Sequence, residues 1–304
     1  MDFISKNYKT DHMYSGMHGY HAHHVTGVFN DPKGYSVRKG RIGVELEVEF
    51  TDYQAAREFK DSRSNWFYLE RDGSIGTYDT EGVEIITIPL RPQDAKDPSF
   101  WGIGLTSHIA DKAKSWDTNG RCGLHVHVGN ERLGGHPLTI QETQAKLIYF
   151  HEHFLKDHAI TKAVYGRSRS YHEHDGRTDH GEEMKRCREV LMKNRKKQEE
   201  LAQATRSGSN LTVRYHAINI TNRHTTEFRL GKGTLNPMRI AAVVEYCDLQ
   251  CEYARTTNWG QMSIEDFFEF LELRAGENLK QYAREAMRIE AENIVLNPIL
   301  PTQD

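Results

Sequence analysis

Two histidines one residue apart, His125 and His127, sit in the segment Arg121-Cys122-Gly123-Leu124-His125-Val126-His127-Val128-Gly129. Successive side chains on a β-strand point to opposite faces, so residues two apart share a face. Both imidazoles therefore project together, while Leu124, Val126 and Val128 turn the other way. The same rule pairs Glu45 with Glu47 in Ile42-Gly43-Val44-Glu45-Leu46-Glu47-Val48-Glu49-Phe50, and Glu227 with Arg229 in Thr225-Thr226-Glu227-Phe228-Arg229-Leu230. Carboxylates and imidazoles ligate divalent metals, and a guanidinium suits phosphate oxygens. Three strands that aim such pairs from one face predict the wall of a metal-and-phosphate site.

Each group has a plainer alternative. Gly43-x-Glu45-x-Glu47 brings two carboxylates within one ligand's reach, and hard Mg²⁺ or Mn²⁺ ions need oxygen ligands. Alternating acids are also what a solvated strand face looks like, and Glu49 reads as solvated. Glu84, among Val83, Ile85 and Ile86, is either exposed on the alternate face or buried with a partner or metal. His125 and His127 suit zinc, as in hydrolases. They also suit Mg²⁺ with one imidazole on a phosphate, or structural hydrogen bonds. Glu227 and Arg229 offer a metal ligand and a phosphate contact, or a cross-strand salt bridge. Arg214 and Asn219 on the preceding strand, with Arg167 and Arg169 further upstream, offer more groups for phosphate. The histidines at 18, 21, 23 and 24 have the chemistry to chelate a metal, but the commoner reading of such a cluster is a polar arm, here residues 1–40, with incidental histidines.

The elements that position these groups follow from periodicity. A strand begins after Arg41, and residues 51–66 read as a helix or irregular insert. Trp66 to Glu70 leads into a turn at Asp72-Gly73, and Gly82 to Pro89 forms another short strand. A helix fills much of 99–115. Thr139-Ile140-Gln141-Glu142 has the form of a capping box and opens a helix expected to run to about Val164. Residues 165–210 form a charged insert with a helix from about Glu182 to Ala204. Strands at about 212–221 and 224–231 pair as a hairpin. Asn236-Pro237 starts a helix as N-cap and first residue, and two more helices follow near 263–273 and 277–293. The fold class expected is α+β: about six mostly antiparallel strands in one curved sheet, backed by helices.

Composition narrows the function. A chain of 304 residues buries a core, and a net charge of -3 exerts no general pull on nucleic acid or membrane. Four cysteines form no C-x-x-C pair or disulfide-like framework, which points to a reducing cytoplasm. No apolar run approaches a membrane span. The basic stretch Arg186-Cys187-Arg188 and Lys193-Asn194-Arg195-Lys196-Lys197 is interleaved with glutamates, so a nucleic-acid partner is the weaker reading.

The order of these motifs resembles the amidoligase family, a group common in phages and bacterial gene clusters and related to glutamine synthetase and the glutamate–cysteine ligases. The resemblance rests on Gly43-x-Glu45-x-Glu47, Asp72-Gly73-Ser74, Gly82-Val83-Glu84 with Pro89, Cys122-Gly123-x-His125-x-His127, Arg214 to Asn219, and Thr226-Glu227-Phe228-Arg229, within roughly 41–255. It implies a catalytic domain like that of glutamine synthetase over 41–304. It also implies a ligase that uses ATP to join a small-molecule or peptide carboxylate to an amine through an acyl phosphate. Glu45, Glu47, Glu84, His125 and Glu227 would hold Mg²⁺ or Mn²⁺. His127, Arg214, Asn219 and Arg229 would meet ATP, and Arg229, Glu227 and His127 would act in catalysis. Asp72 and Glu49 are candidates for the general base. Glutamine synthetase relatives often complete their sites across subunits, so a homo-oligomer is consistent with the resemblance. A zinc hydrolase at His125 and His127 is the main rival, disfavoured by the surplus of carboxylates. A silent relative or a nucleic-acid modifier is the third reading.

Overall fold

The computed structural model describes residues 41–61, 67–115, 120–166, 217–222 and 224–296. Seven strands among them form one sheet in which every pairing is antiparallel. They are β1 (Ile42–Phe50), β2 (Phe67–Arg71), β3 (Glu81–Thr87), β4 (Ala113–Lys114), β5 (Gly123–Gly129), β6 (Ile218–Asn219) and β7 (Thr225–Lys232). Their order is β2-β3-β1-β5-β7-β6, with β4 added to the end of β1. The sheet is thus open and uncurled with seven strands, not curved with about six. The extra strand, Ala113–Lys114, is two residues long and carries no alternation to betray it.

One face of the sheet is apolar because the alternation holds. Val44, Leu46, Val48, Leu124, Val126, Val128, Phe228 and Leu230 are all buried in the main core. That core continues into the helices: α1 (Tyr53–Asp61), α2 (Pro137–Phe150), α3 (Ala159–Tyr165), α4 (Pro237–Thr256), α5 (Ile264–Arg274) and α6 (Glu277–Leu296). Helix α4 packs on β5 and is buried around most of its circumference, through Ile240, Val243, Val244, Cys247 and Cys251 among others. Its start is the one the sequence predicts: Asn236 Oδ1 accepts from the Met238 and Arg239 amides at 3.0 and 3.3 Å, with Pro237 at the first position.

The helix after β5 differs from expectation at both ends. His136, not Thr139, is the N-cap, its Nδ1 accepting from the Leu138 amide at 3.3 Å. Thr139 lies inside the first turn, where its carbonyl accepts from Thr143. The helix also fails to reach Val164. It passes into a wide turn at His151–Leu155, and α3 restarts on His158, which caps Ile160. The region expected to be helical from 99 is so, as a run of short turns, only to Ile109.

The 1–40 arm, the helix expected at 182–204, residues 167–210 of the insert and the first part of the strand before β6 lie outside the described residues. No helix among the described residues is long and apolar enough to cross a membrane.

Candidate active site

Pairing register lays the polar residues in two rows across the other face of the sheet. In the first row Gly43 faces His127, His127 faces Glu227, and Glu227 faces Asn219, from β1 through β5 and β7 to β6. Beside it, Glu45 on β1 faces His125 on β5. In the second row Glu47 faces Glu84 and Glu84 faces Glu70, from β1 through β3 to β2. The turn after β2 adds Asp72, whose Oδ1 accepts from the Ser74 amide at 2.7 Å.

These groups form two clusters. Glu45, His127 and Glu227 each present one ligand atom within 4.8 Å of the others, and so do Glu47, Asp72 and Glu84. His125 stands between the clusters, with Nδ1 3.4 Å from Glu45 and 3.9 Å from Glu227, and Nε2 4.0 Å from Glu47. Arg229 bonds Glu227 Oε1 on its own strand. The other oxygen of Glu227, Oε2, accepts from Asn219 at 2.7 Å and Asn222 at 3.1 Å. Glu47 Oε2 accepts from the Gly123 amide, locking β1 to the start of β5.

The clusters differ electrically. In the first, burial pushes the Glu45 and Glu227 carboxyls up, but His127 with His125 or Arg229 outweighs it and holds both below the usual range. Burial likewise pushes His127 down, yet Glu45 and Glu227 prevail and raise it to about 9. A proton on His127 thus stands where a divalent cation would supply the positive charge. In the second cluster no counterweight prevails. Burial and then the charges of Glu45, Glu47, Asp72 and Glu70 raise Glu84 well above the carboxylate range. Burial and the Asp72 charge raise Glu47, with His125 opposing. Carboxylates held in protonated form by burial and by one another's charge suit a hard divalent ion, which relieves the repulsion and takes oxygen donors. The donor sets fit Mg²⁺ or Mn²⁺: all oxygen in one cluster, two carboxylates and an imidazole in the other.

Most residues expected at the site therefore meet on one face: Glu45, Glu47, Glu84, His125, His127, Asn219, Glu227 and Arg229. Arg214, Arg167 and Arg169 lie outside the described residues. Glu49 corrects the expectation of a solvated acid. It is buried, accepts from Thr80 at 2.6 Å and pairs with Lys114 at 3.0 Å, so it serves the fold. Glu70 and Asn222 were missed. The alternation of Phe67 and Leu69 with Glu70 was the available signal for the first; nothing marked the second. The plain account of Glu227 and Arg229 was a salt bridge across strands; the one observed here joins the two residues to each other, within one strand and inside the cluster.

Comparison with known proteins adds one finding to this geometry. Residues 33–249 match the family model described as "putative amidoligase enzyme", so the match begins inside the polar arm and spans the insert. No curated protein matches the chain. With most of its length covered and the matched strands carrying both clusters, the chain belongs to this amidoligase family.

Proposed function

We propose that the chain is an ATP-dependent carboxylate–amine ligase that forms an amide bond through an acyl phosphate, on a domain related to that of glutamine synthetase. The observation that carries the reading is the pair of adjacent ligand clusters beside Arg229 on one sheet face. Membership of the amidoligase family supports the ligase class. The substrates we infer are a small-molecule or peptide carboxylate and an amine, and buried cysteines at 122, 247 and 251, none of them in a disulfide, agree with work in the cytoplasm.

A carboxylate is a poor electrophile. Its oxygen attacks the γ-phosphorus of ATP, the bond to the β-phosphate oxygen breaks, and ADP leaves. The amine then forms the C–N bond, inorganic phosphate departs with the C–O electron pair, and the ammonium gives up its proton. Both steps gather negative charge on oxygen. Arg229 offers fixed N–H donors and a permanent positive charge to the phosphoryl oxygens. Glu45, His127 and Glu227 would hold one divalent cation, and Glu47, Asp72 and Glu84 another, with His125 between them. Bound there, Mg²⁺ or Mn²⁺ would neutralise phosphate charge and template the reactants. The buried Glu227 and Glu47 are fixed by amide donors, so the ligand geometry exists before substrate arrives.

Purified protein given ATP, Mg²⁺ and pools of amino acids and polyamines should release phosphate and produce a new amide mass by mass spectrometry. Glu45→Ala and Glu227→Ala should abolish ATP turnover with the fold intact. Arg229→Ala should lower kcat by about 10³-fold, more than it lowers nucleotide affinity. Unchanged turnover in all three variants would end the proposal, as would stoichiometric zinc with hydrolysis and no amide.

A further inference from the structure

A cavity of about 350 Å³ opens on the helical side of the sheet, between α4 and the loop that joins β5 to α2. Helix α4 lines it with Asp248, Cys251, Glu252 and Arg255, spaced so that they share one helical face. The loop contributes Glu131, Arg132, Gly134 and Gly135. The apolar side of β5 and α4 belong to the same core, so the sheet separates this cavity from the two ligand clusters. Its size is at the lower end for small-molecule sites, roughly 300–1,000 Å³.

The wall is charged, and its charges are unequally satisfied. Asp248 is fully buried and held from two sides, by Lys96 and by Arg132 Nε at 2.5 Å. Two cations on one carboxylate leave a positive charge over. Glu252 pairs with Arg274 at 3.5 Å. Arg255 and Glu131 pair neither with each other nor with any other charged side chain among the described residues, although both border the cavity. At Gly135 a side chain would meet nothing within 4 Å, so the mouth is open there. What remains is a carboxylate-accepting side at Arg132 and Arg255, an ammonium-accepting group at Glu131 and, once the ion-pair partners Lys96 and Arg274 outside the lining are counted with it, four cations to three carboxylates, a net positive surplus.

We infer that this cavity is a second binding site, for a free amino acid, with acidic amino acids preferred because their single net negative charge matches the surplus. The assignment does not depend on the ligase reading. The loop that would grip the ligand follows directly from the strand of His125 and His127, so occupancy is placed to be felt at the sheet face.

Calorimetric titration of the full chain with L-glutamate, L-alanine and glutarate tests it. Glutamate should bind with one-to-one stoichiometry, and alanine and glutarate should bind about ten-fold more weakly, each lacking one charged group. Arg255→Ala and Glu131→Gln both alter exposed residues and should each weaken glutamate about ten-fold or more, while Glu227→Gln leaves it unchanged. Absence of saturable binding up to about 10 mM, a range that covers weak millimolar sites, would overturn the inference. So would glutamate affinity that survives both cavity variants, or that is lost only in Glu227→Gln, which would put the amino acid on the sheet face.

Discussion

The two oxygens of Glu227 have different jobs. Oε2 is taken by the amides of Asn219 and Asn222, so Oε1 is the atom that faces His125, His127 and Arg229. The Asn219 amide has only one sensible orientation: its Oδ1 accepts from the Thr221 amide at 2.9 Å, which leaves Nδ2 to donate to the carboxylate. The family resemblance places Asn219 at the nucleotide; in the fold its amide also restrains a candidate ligand, a kind of support on which metal sites depend. Because Glu227 is buried, removing a donor exposes no compensating water. Asn219→Ala should therefore cost about 1.5–3 kcal/mol in urea denaturation and weaken Mn²⁺ binding about 10- to 100-fold. An unaltered Mn²⁺ titration in a folded variant would mean that Glu227 needs no such restraint or holds no ion.

At the scale of strands, register explains both what was legible and what was not. Alternation in Ile42–Phe50 and around His125 told which side chains share a face, and the structure keeps those pairs together. Alternation within a strand says nothing about which residue it meets on its neighbour. That Glu47, Glu84 and Glu70 stand in one line is set by three-strand pairing, decided by the turn at Asp72 and by core packing. Helix ends were legible where the cap is Asn-Pro, and misread where a histidine caps and an apparent capping box lies one turn inside. The line of acids has a measurable cost. Like charges directly opposite each other in a sheet destabilise it, by something of order 1 kcal/mol per pair, and Glu84 meets one on each side. Glu84→Gln should make the cation-free protein more stable at pH above the ordinary carboxylate range, where the unfolded chain's Glu84 is ionised and the folded one resists ionising, while weakening Mg²⁺ binding. Denaturation midpoints at pH 8 with EDTA and with Mg²⁺ should shift in opposite directions relative to the parent; a loss of stability in EDTA would show that the row is not under repulsion.

Across the whole molecule, one layer of helices seals the apolar face of the sheet while the opposite face concentrates ionisable groups, so folding and cation binding are linked. The sequence disclosed this division because hydrophobic alternation is local; it could not disclose the cavity at Asp248, which requires α4 and a distant loop to meet. The linkage has a definite sign. His127 sits at about 9 in the fold against an ordinary value of 6.5, so its charge stabilises the cation-free protein fully below pH 6.5, and that contribution is lost as pH rises through 9. A divalent ion must displace the same proton to use the imidazole, so its affinity should climb over the same interval. A ligand at a hundred times its Kd adds about 2.7 kcal/mol to the folded state. Urea denaturation at pH 6, 7.5 and 9 should therefore show a gap between Mg²⁺-loaded and EDTA-treated protein that widens with pH and levels off above 9. His127→Gln should flatten that trend, because a side chain with no proton to surrender cannot couple cation binding to pH. A gap that stays constant from pH 6 to 9 in the parent protein would remove His127 from the cation's ligands, whatever the catalytic assays report.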